Sequence, residues 1–138
     1  MNIYVVVELK KREFVPKFLL SLEAALNNHV VYLGNINQLL SKNFLKPGLL
    51  HHKSITPVKQ KHSLLKRLKK KKFIISSLDE EVGGVSVNAK EYVKIRYGEK
   101  TLKLVDTIFT WGKFDYNNLC NTYKKYNKKI INSGNPRV

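Results

Sequence analysis

Three consecutive carboxylates end an apolar run near the middle of the chain. Residues 73–78 form an apolar, β-branched run, and Asp79, Glu80 and Glu81 follow it directly. This pattern predicts a buried strand that delivers acids to its C-terminal end, where open α/β sheets bind ligands. A carboxylate there can take a proton from an attacking hydroxyl, and crowded carboxylates raise one another's pKa. The three acids are therefore candidate catalytic residues, with a solvated acidic loop as the alternative.

A second group of charges follows the first apolar run of the chain. Residues 3–7 read as a strand buried on both faces, and Glu8, Lys10, Arg12 and Glu13 come directly after it. In a parallel sheet this group shares an edge with the central acids. Mixed charges at that edge can bind the hydroxyls and carboxylate of a ligand, with Arg12 acting as a bidentate fork. The alternative is a local ion-pair cluster.

Three further residues are candidates for ligand contact. Trp111 and Gly112 end the fifth predicted strand at the same edge, and Asn135 lies near the end of the sequence. Trp111 can stack on the ring of a ligand, although core packing is the alternative. Asn135 can contact a ligand or shape a turn.

The sequence predicts no metal site and no cofactor. His51 and His52 are adjacent on a predicted strand, so their side chains point to opposite faces. Cys120 is the single cysteine, which excludes sites built on cysteine pairs. Neither a GxGxxG nor a GxxxxGK segment is present, so a dinucleotide site of the usual kind is not expected.

The remaining pattern alternates strands with helices. Strands are predicted at residues 3–7, 29–33, 49–52, 73–78, 107–111 and 129–131. Helices are predicted around residues 15–26, 36–40, 57–71, 91–95, 101–105 and 115–126. A chain of 138 residues fits one domain. The alternation predicts a single Rossmann-like α/β domain with a mostly parallel sheet and helices on both faces.

The charge of the chain is strongly positive. A formal net charge of +16 favours an anionic partner. The polar face of the third predicted helix is basic and, besides Lys61, carries Lys66, Arg67, Lys69, Lys70 and Lys71. These residues are expected to contact an anionic membrane surface; a solvated face and nucleic-acid binding are the alternatives. The first apolar run is too short for a signal peptide or a membrane span, so we expect a cytoplasmic protein, peripheral on the inner face of the membrane.

Four segments carry a resemblance to a known family. In chain order they are ELKKRE at 8–13, LDEE at 78–81 with the glycines that follow, FTWG at 109–112 and SGNPR at 133–137. Together they resemble the N-terminal half of bacterial surface carbohydrate (polysaccharide) biosynthesis proteins. Those proteins are similar to GT-B glycosyltransferases, in which two Rossmann-like domains face each other across a cleft. The resemblance implies that residues 1–138 are the acceptor-side domain and that the C-terminal nucleotide-sugar domain is absent.

The resemblance also implies an activity. Such a protein transfers a sugar from a nucleotide sugar to a glycan or lipid-linked acceptor, and this half is expected to be inactive until a separate C-terminal half completes it. Some bacterial sialyltransferases of this architecture carry an acidic-acidic-Gly motif that supplies the base, whereas Val82 intervenes before Gly83 here. The competing class is a non-enzymatic basic α/β module that binds nucleic acid or another polyanion.

Overall fold

The structure is a computed structural model that describes residues 1–41, 46–81 and 88–134. Within these ranges six strands form one sheet, and every neighbouring pair is parallel. The strands are β1 Asn2–Val6, β2 Val30–Gly34, β3 Gly48–His52, β4 Ile74–Leu78, β5 Thr107–Thr110 and β6 Ile130–Asn132. The helices are α1 Lys10–Leu26, α2 Ile36–Leu39, α3 Lys59–Lys70, α4 Ala89–Arg96, α5 Glu99–Leu102 and α6 Lys113–Thr122, followed by a 3-10 helix at Lys124–Lys129. The predicted Rossmann-like α/β architecture is confirmed.

The strand order is β2-β1-β3-β4-β5-β6, so the direction of winding reverses at β1. Right-handed crossovers then place α1 on one face of the sheet and the later helices on the other. The side chains agree with this arrangement, because Tyr4, Leu50 and Ile75 join the core with α3 and α6, whereas Ile3 and Val5 lie beside α1. The main core therefore lies on the face that α2 to α6 cover.

The first helix differs from its prediction in where it begins. It starts at Lys10 rather than near residue 15, and Pro16 therefore lies inside the helix. The carboxylate of Glu13 accepts a hydrogen bond from the backbone N–H of Glu8 at 2.8 Å, which satisfies a donor just before the helix. The charged segment predicted to follow β1 thus becomes the first turn of α1.

The apolar residues that recur at helical spacing along α1 face outward. Val15, Leu19 and Leu26 are 66%, 56% and 71% exposed. The residues that α1 buries are polar, namely Glu13, Lys17 and Ser21. An outward apolar stripe on a helix with a buried polar face is the reverse of the usual arrangement.

The predicted helix at 115–126 is wrong as a single element. Helix α6 ends at Thr122, and Tyr123 leaves helical geometry with φ −126° and ψ 54°. The Tyr123 hydroxyl donates to the carbonyl of Tyr97 at 2.8 Å, so a tertiary contact stabilises this break in the helix.

Helix α3 begins at Lys59, two residues after Pro57. Among the described helices, none combines the length and hydropathy needed to cross a membrane.

Candidate functional site

A cluster of charged side chains lies at the C-terminal edge of the sheet, at the reversal point between β1 and β3. Glu8 follows β1, Lys53 follows β3, and Asp79 to Glu81 follow β4. The N-terminal turn of α1 covers the same edge, because Glu13 binds the backbone of Glu8. In open α/β sheets ligands bind in the crevice at this reversal point. The topology therefore brings the two predicted groups of charges together.

Lys17 lies at the buried centre of the cluster. Its ammonium group donates to the carbonyl of Val6 and lies 3.3 Å from Glu13 Oε2 and 2.9 Å from Glu80 Oε1. The side chains of Lys17, Glu13 and Glu80 are 3%, 0% and 6% exposed. Burial of charges is tolerated when they are paired in this way, and the three contacts join β1, α1 and the end of β4.

Asp79 is held by an arginine of α4, Arg96, whose Nη1 also lies 3.1 Å from Glu81 Oε2. Arg96 Nε donates to Asp79 Oδ2 at 2.6 Å, and Nη2 donates to Oδ1. Asp79 Oδ1 also accepts the backbone N–H of Glu81 at 3.0 Å. Because Asp79 is 2% exposed, this bidentate pair acts as an anchor that fixes α4 against the end of β4.

Three side chains of the cluster reach solvent, and we call them the rim: Glu8, Arg12 and Glu81. Their side chains are 35%, 40% and 43% exposed. Lys53 bridges the two rim acids, with Nζ 2.7 Å from Glu8 Oε2 and 3.3 Å from Glu81 Oε1. Arg12 Nη2 lies 3.7 Å from Glu81 Oε1. The rim thus offers two carboxylates and a guanidinium to a ligand, on a base of buried ion pairs.

The expectation that crowding raises the pKa of the central acids is wrong for Glu81. Burial acts to raise the pKa of Glu81, but the hydrogen bonds and charges of Lys53 and Arg96 outweigh it and hold this pKa below its usual value. Glu13 behaves alike: burial is opposed by the Glu8 N–H and by Lys17, and its pKa falls to about 2. A raised pKa is found instead at Asp115, through burial and the charge of Asp79.

Other predicted site residues lie away from the rim. Lys10 is exposed, with its Nζ 5.9 Å from the centre of the Phe14 ring. Trp111 and Gly112 are partly buried after β5, and β3 and β4 separate that strand from β1. At about 4.8 Å between neighbouring strands, the separation from Glu8 is roughly 14 Å. Asn135 lies outside the described residues.

The basic residues predicted to contact a membrane lie along α3. Lys66, Arg67, Lys70 and Lys71 are exposed. Lys69 forms a salt bridge with Asp106 at 2.8 Å. Leu65 and Leu68 point into the core, so this basic face lies on the opposite side of the sheet from α1.

Sequence reasoning missed the cations that organise the site. Lys17 could have been found, because it follows Glu13 by four residues on one helix face. Lys53 comes directly after β3, where the same edge argument applies. Arg96 carries no such signal, because its pairing with Asp79 depends on how α4 packs.

The two adjacent histidines point to opposite faces, as predicted. His51 Nδ1 lies 3.0 Å from the Ser76 hydroxyl, whereas His52 Nδ1 accepts the backbone N–H of Ser54 at 3.2 Å. His52 Nε2 lies 2.9 Å from Lys61 Nζ, and burial lowers the pKa of Lys61.

We expect Lys61 to be acylated at lower pH than an ordinary lysine, whose pKa is about 10.4. Competitive acetylation across a pH series, read by peptide mass spectrometry, gives the titration midpoint of each lysine. Lys59 lies at the exposed start of the same helix and is the internal control. A Lys61 midpoint at or above that of Lys59 would contradict the lowered pKa of Lys61.

Comparison of the chain with protein-family models, with curated proteins and with solved structures finds no match in any of the three. Within the described ranges, no group of three or more His, Cys, Asp or Glu residues is arranged to hold a metal ion. The fold and the cluster define the chain by class: an open, parallel α/β domain with an ionic cluster at the C-terminal edge of its sheet.

Proposed function

We propose that this chain is the acceptor-side half of a glycosyltransferase-like protein of surface polysaccharide synthesis. A second, donor-binding half completes it, and the assembly transfers a sugar from a nucleotide sugar to a glycan or lipid-linked acceptor. The observation that carries this proposal is the rim, where Glu8, Arg12 and Glu81 reach solvent at the reversal point of the sheet. The four motifs that resemble surface carbohydrate biosynthesis proteins support the same assignment.

The rim residues take distinct roles in this proposal. Glu81 is the most exposed of the three predicted catalytic acids, and its low pKa keeps it ionised as a proton acceptor must be. An acceptor hydroxyl that displaces Lys53 from Glu81 would raise the carboxylate's proton affinity at the moment of attack. Asp79 and Glu80 position the strand end through Arg96 and Lys17. Arg12 and Glu8 bind the acceptor's polar groups.

The test is sugar transfer by the completed assembly. The chain alone should bind nucleotide sugars weakly and transfer nothing, whereas co-expression with a Rossmann-like donor half should give transfer from labelled nucleotide sugars. In the assembly, Glu81→Gln should lower turnover by roughly 100-fold while the Kd for the donor is unchanged. Glu99→Gln is the matched control, because Glu99 is an exposed acid of α5 whose charge partners are surface lysines.

The outcomes separate the three acids. Single Asp79→Asn and Glu80→Gln variants disturb buried pairs, so their stability must be measured beside their activity. If all three single variants and the triple variant kept full activity, the proposal that this strand end supplies the base would be wrong.

The alternative function is polyanion binding through the exposed lysines of α3, which the net charge of +16 favours. This reading predicts RNA or DNA binding that weakens steeply with salt and is lost when Lys69, Lys70 and Lys71 become Gln. Tight nucleic-acid binding by a chain that no second half activates would support this class instead.

A further inference from the structure

Helix α1 presents an apolar surface to solvent. Large apolar residues that are at least 37% exposed are concentrated on this helix: Phe14, Val15, Phe18, Leu19, Leu20, Leu22 and Leu26. The rings of Phe14 and Phe18 stack with their centres 5.8 Å apart. A contiguous apolar patch of this kind marks a site of protein or membrane contact. The polar residues Glu13, Lys17 and Ser21 of the same helix are buried instead.

A groove of about 510 Å³ lies beside α1 on the same face of the sheet. Its floor comes from β1, β3, β4 and β5, and Leu20 and Ala24 of α1 form one wall. Among the described lining residues none is a Lys, Arg, Asp or Glu. The His51 ring is neutral, because burial and then the charge of Lys17 lower its pKa to about 4, and it already pairs with Ser76. Such a lining suits hydrocarbon rather than a sugar or a phosphate.

Two lining residues of the groove lie close to the charged cluster along the chain. Val5 and Leu78 line the groove, and the chain continues from them to Glu8 and to Asp79 at the edge of the sheet. A molecule that fills the groove can therefore direct a polar end toward this edge. The occupant that fits both parts is an amphiphile with an aliphatic chain.

We propose that α1 lies in the surface of an anionic membrane and that the groove takes an aliphatic chain of a lipid from that membrane. An apolar helix face with aromatic residues is suited to the boundary between head groups and acyl chains. Lys10 and Lys11 are exposed in the first turn of α1, where they can meet anionic head groups. This lipid site rests on the proposed function in one respect only, which is that the bound lipid carries the sugar acceptor.

Charge decides between a membrane and a second copy of the chain as the occupant. Two copies that each carry a net charge of +16 repel one another at low ionic strength, whereas an anionic surface attracts each copy. The basic face of α3 lies on the other side of the sheet, so it contributes long-range attraction rather than contact. Insertion of α1 into the membrane surface therefore supplies the short-range contacts of binding.

The first experiment measures partition onto phosphatidylcholine vesicles that contain phosphatidylglycerol. Wild type should bind at low salt and keep part of its binding at about 1 M salt, because apolar insertion is not screened. The double variant Leu19→Ser and Leu22→Ser should lower the salt-resistant partition by roughly 30-fold. Phe114→Ser is the matched control, since Phe114 is 71% exposed on α6 across the sheet, and it should bind as wild type.

Two results would overturn the membrane assignment. One is equal binding by the α1 variant and wild type in high salt. The other is a wild-type dimer in sedimentation velocity that the α1 variant dissociates, together with no vesicle binding, which would identify a second copy as the occupant. Replacing Lys69, Lys70 and Lys71 with Gln should weaken only the salt-sensitive part, and loss of the salt-resistant part in this variant would also count against α1.

The second experiment tests the groove with monomeric lysophosphatidylglycerol in calorimetry. Ala24→Phe fills the groove from α1, and Thr107→Phe fills it from β5, because both residues line it. Each should weaken uptake at least about tenfold, with thermal unfolding as the check on folding. Unchanged uptake in both folded variants overturns the chain-binding role.

Neither measurement uses sugar transfer, so the two proposals can fail separately. Lipid uptake by wild type, without transfer by any completed assembly, rejects the proposed function and keeps the lipid site. Transfer to a water-soluble glycan, together with no lipid uptake, rejects the lipid site and keeps the function.

Discussion

Acidification from about pH 7 to about pH 4.5 is expected to lower the free energy of unfolding by about 5 kcal/mol. His51 and His52 are 8% and 0% exposed. Burial is the main cause that lowers their pKa values, to about 4 and about 3, with the charges of Lys17 and Lys61 adding to it. Below about pH 6.5 the unfolded chain takes up a proton at each ring while the folded chain does not, so stability falls as the pH falls. Over the two pH units between about pH 6.5 and about pH 4.5, each histidine lowers the free energy of unfolding by about 2.7 kcal/mol.

The loss continues at lower pH through Glu13. Its pKa of about 2 in the folded protein lies below the ordinary value of 4.5. A depressed carboxyl pKa contributes stability that is present above the unfolded value and is lost between about pH 4.5 and about pH 2. The corresponding contribution is about 3 kcal/mol, so the combined loss reaches the total stability of an ordinary domain, which is about 5–15 kcal/mol. We therefore expect an acid-unfolded chain.

Urea unfolding across a pH series measures this dependence. Single His51→Asn and His52→Gln variants should each remove about half of the slope between pH 7 and pH 4.5. His29→Gln is the control, because His29 is partly exposed beside the N-terminus, and it should keep the wild-type slope. Equal stability of the wild type at the two ends of the series would show that the two rings are not held neutral.

The strands could be predicted from the sequence because each apolar run has clear boundaries. The runs at 49–52 and 73–78 lie at the observed positions of β3 and β4 to within one residue. The side that α1 buries could not be predicted, because periodicity gives the spacing of a stripe and not its direction. The direction depends on Lys17, which turns inward to meet Glu80 from a distant part of the chain.

The candidate site, too, could be predicted from the sequence only in part. Two groups of charges at the ends of β1 and β4 were expected at one edge, and the Arg12 and Glu81 contact at 3.7 Å confirms their proximity. Their protonation could not be read from the sequence, because acids alone suggest mutual repulsion and raised pKa values. Lys53, which follows β3, and Arg96 of α4 lie beside Glu81, and they lower its pKa instead. Long-range pairing, which no local pattern encodes, sets the electrostatics of the site.

Replacing Lys17 with Met is expected to destabilise the protein by about 3–5 kcal/mol. Met retains most of the aliphatic stem, but it leaves the carboxylates of Glu13 and Glu80 buried without their cation, 3.3 Å and 2.9 Å from the lost ammonium position. It also leaves the carbonyl of Val6 without this donor. The cost arises from uncompensated charge rather than from lost packing, so it should shrink when the acids are removed too.

Urea unfolding near neutral pH checks this expectation with a double variant and a surface control. Lys17→Met combined with Glu80→Gln should recover part of the loss, because one of the two orphaned charges is gone. Lys103→Met removes the exposed pair with Glu99, whose side chains are 58% and 56% exposed, and should change stability by less than about 1 kcal/mol. If Lys17→Met cost no more than Lys103→Met, the buried ion network would not be what joins β1, α1 and β4, and the rim would need another support.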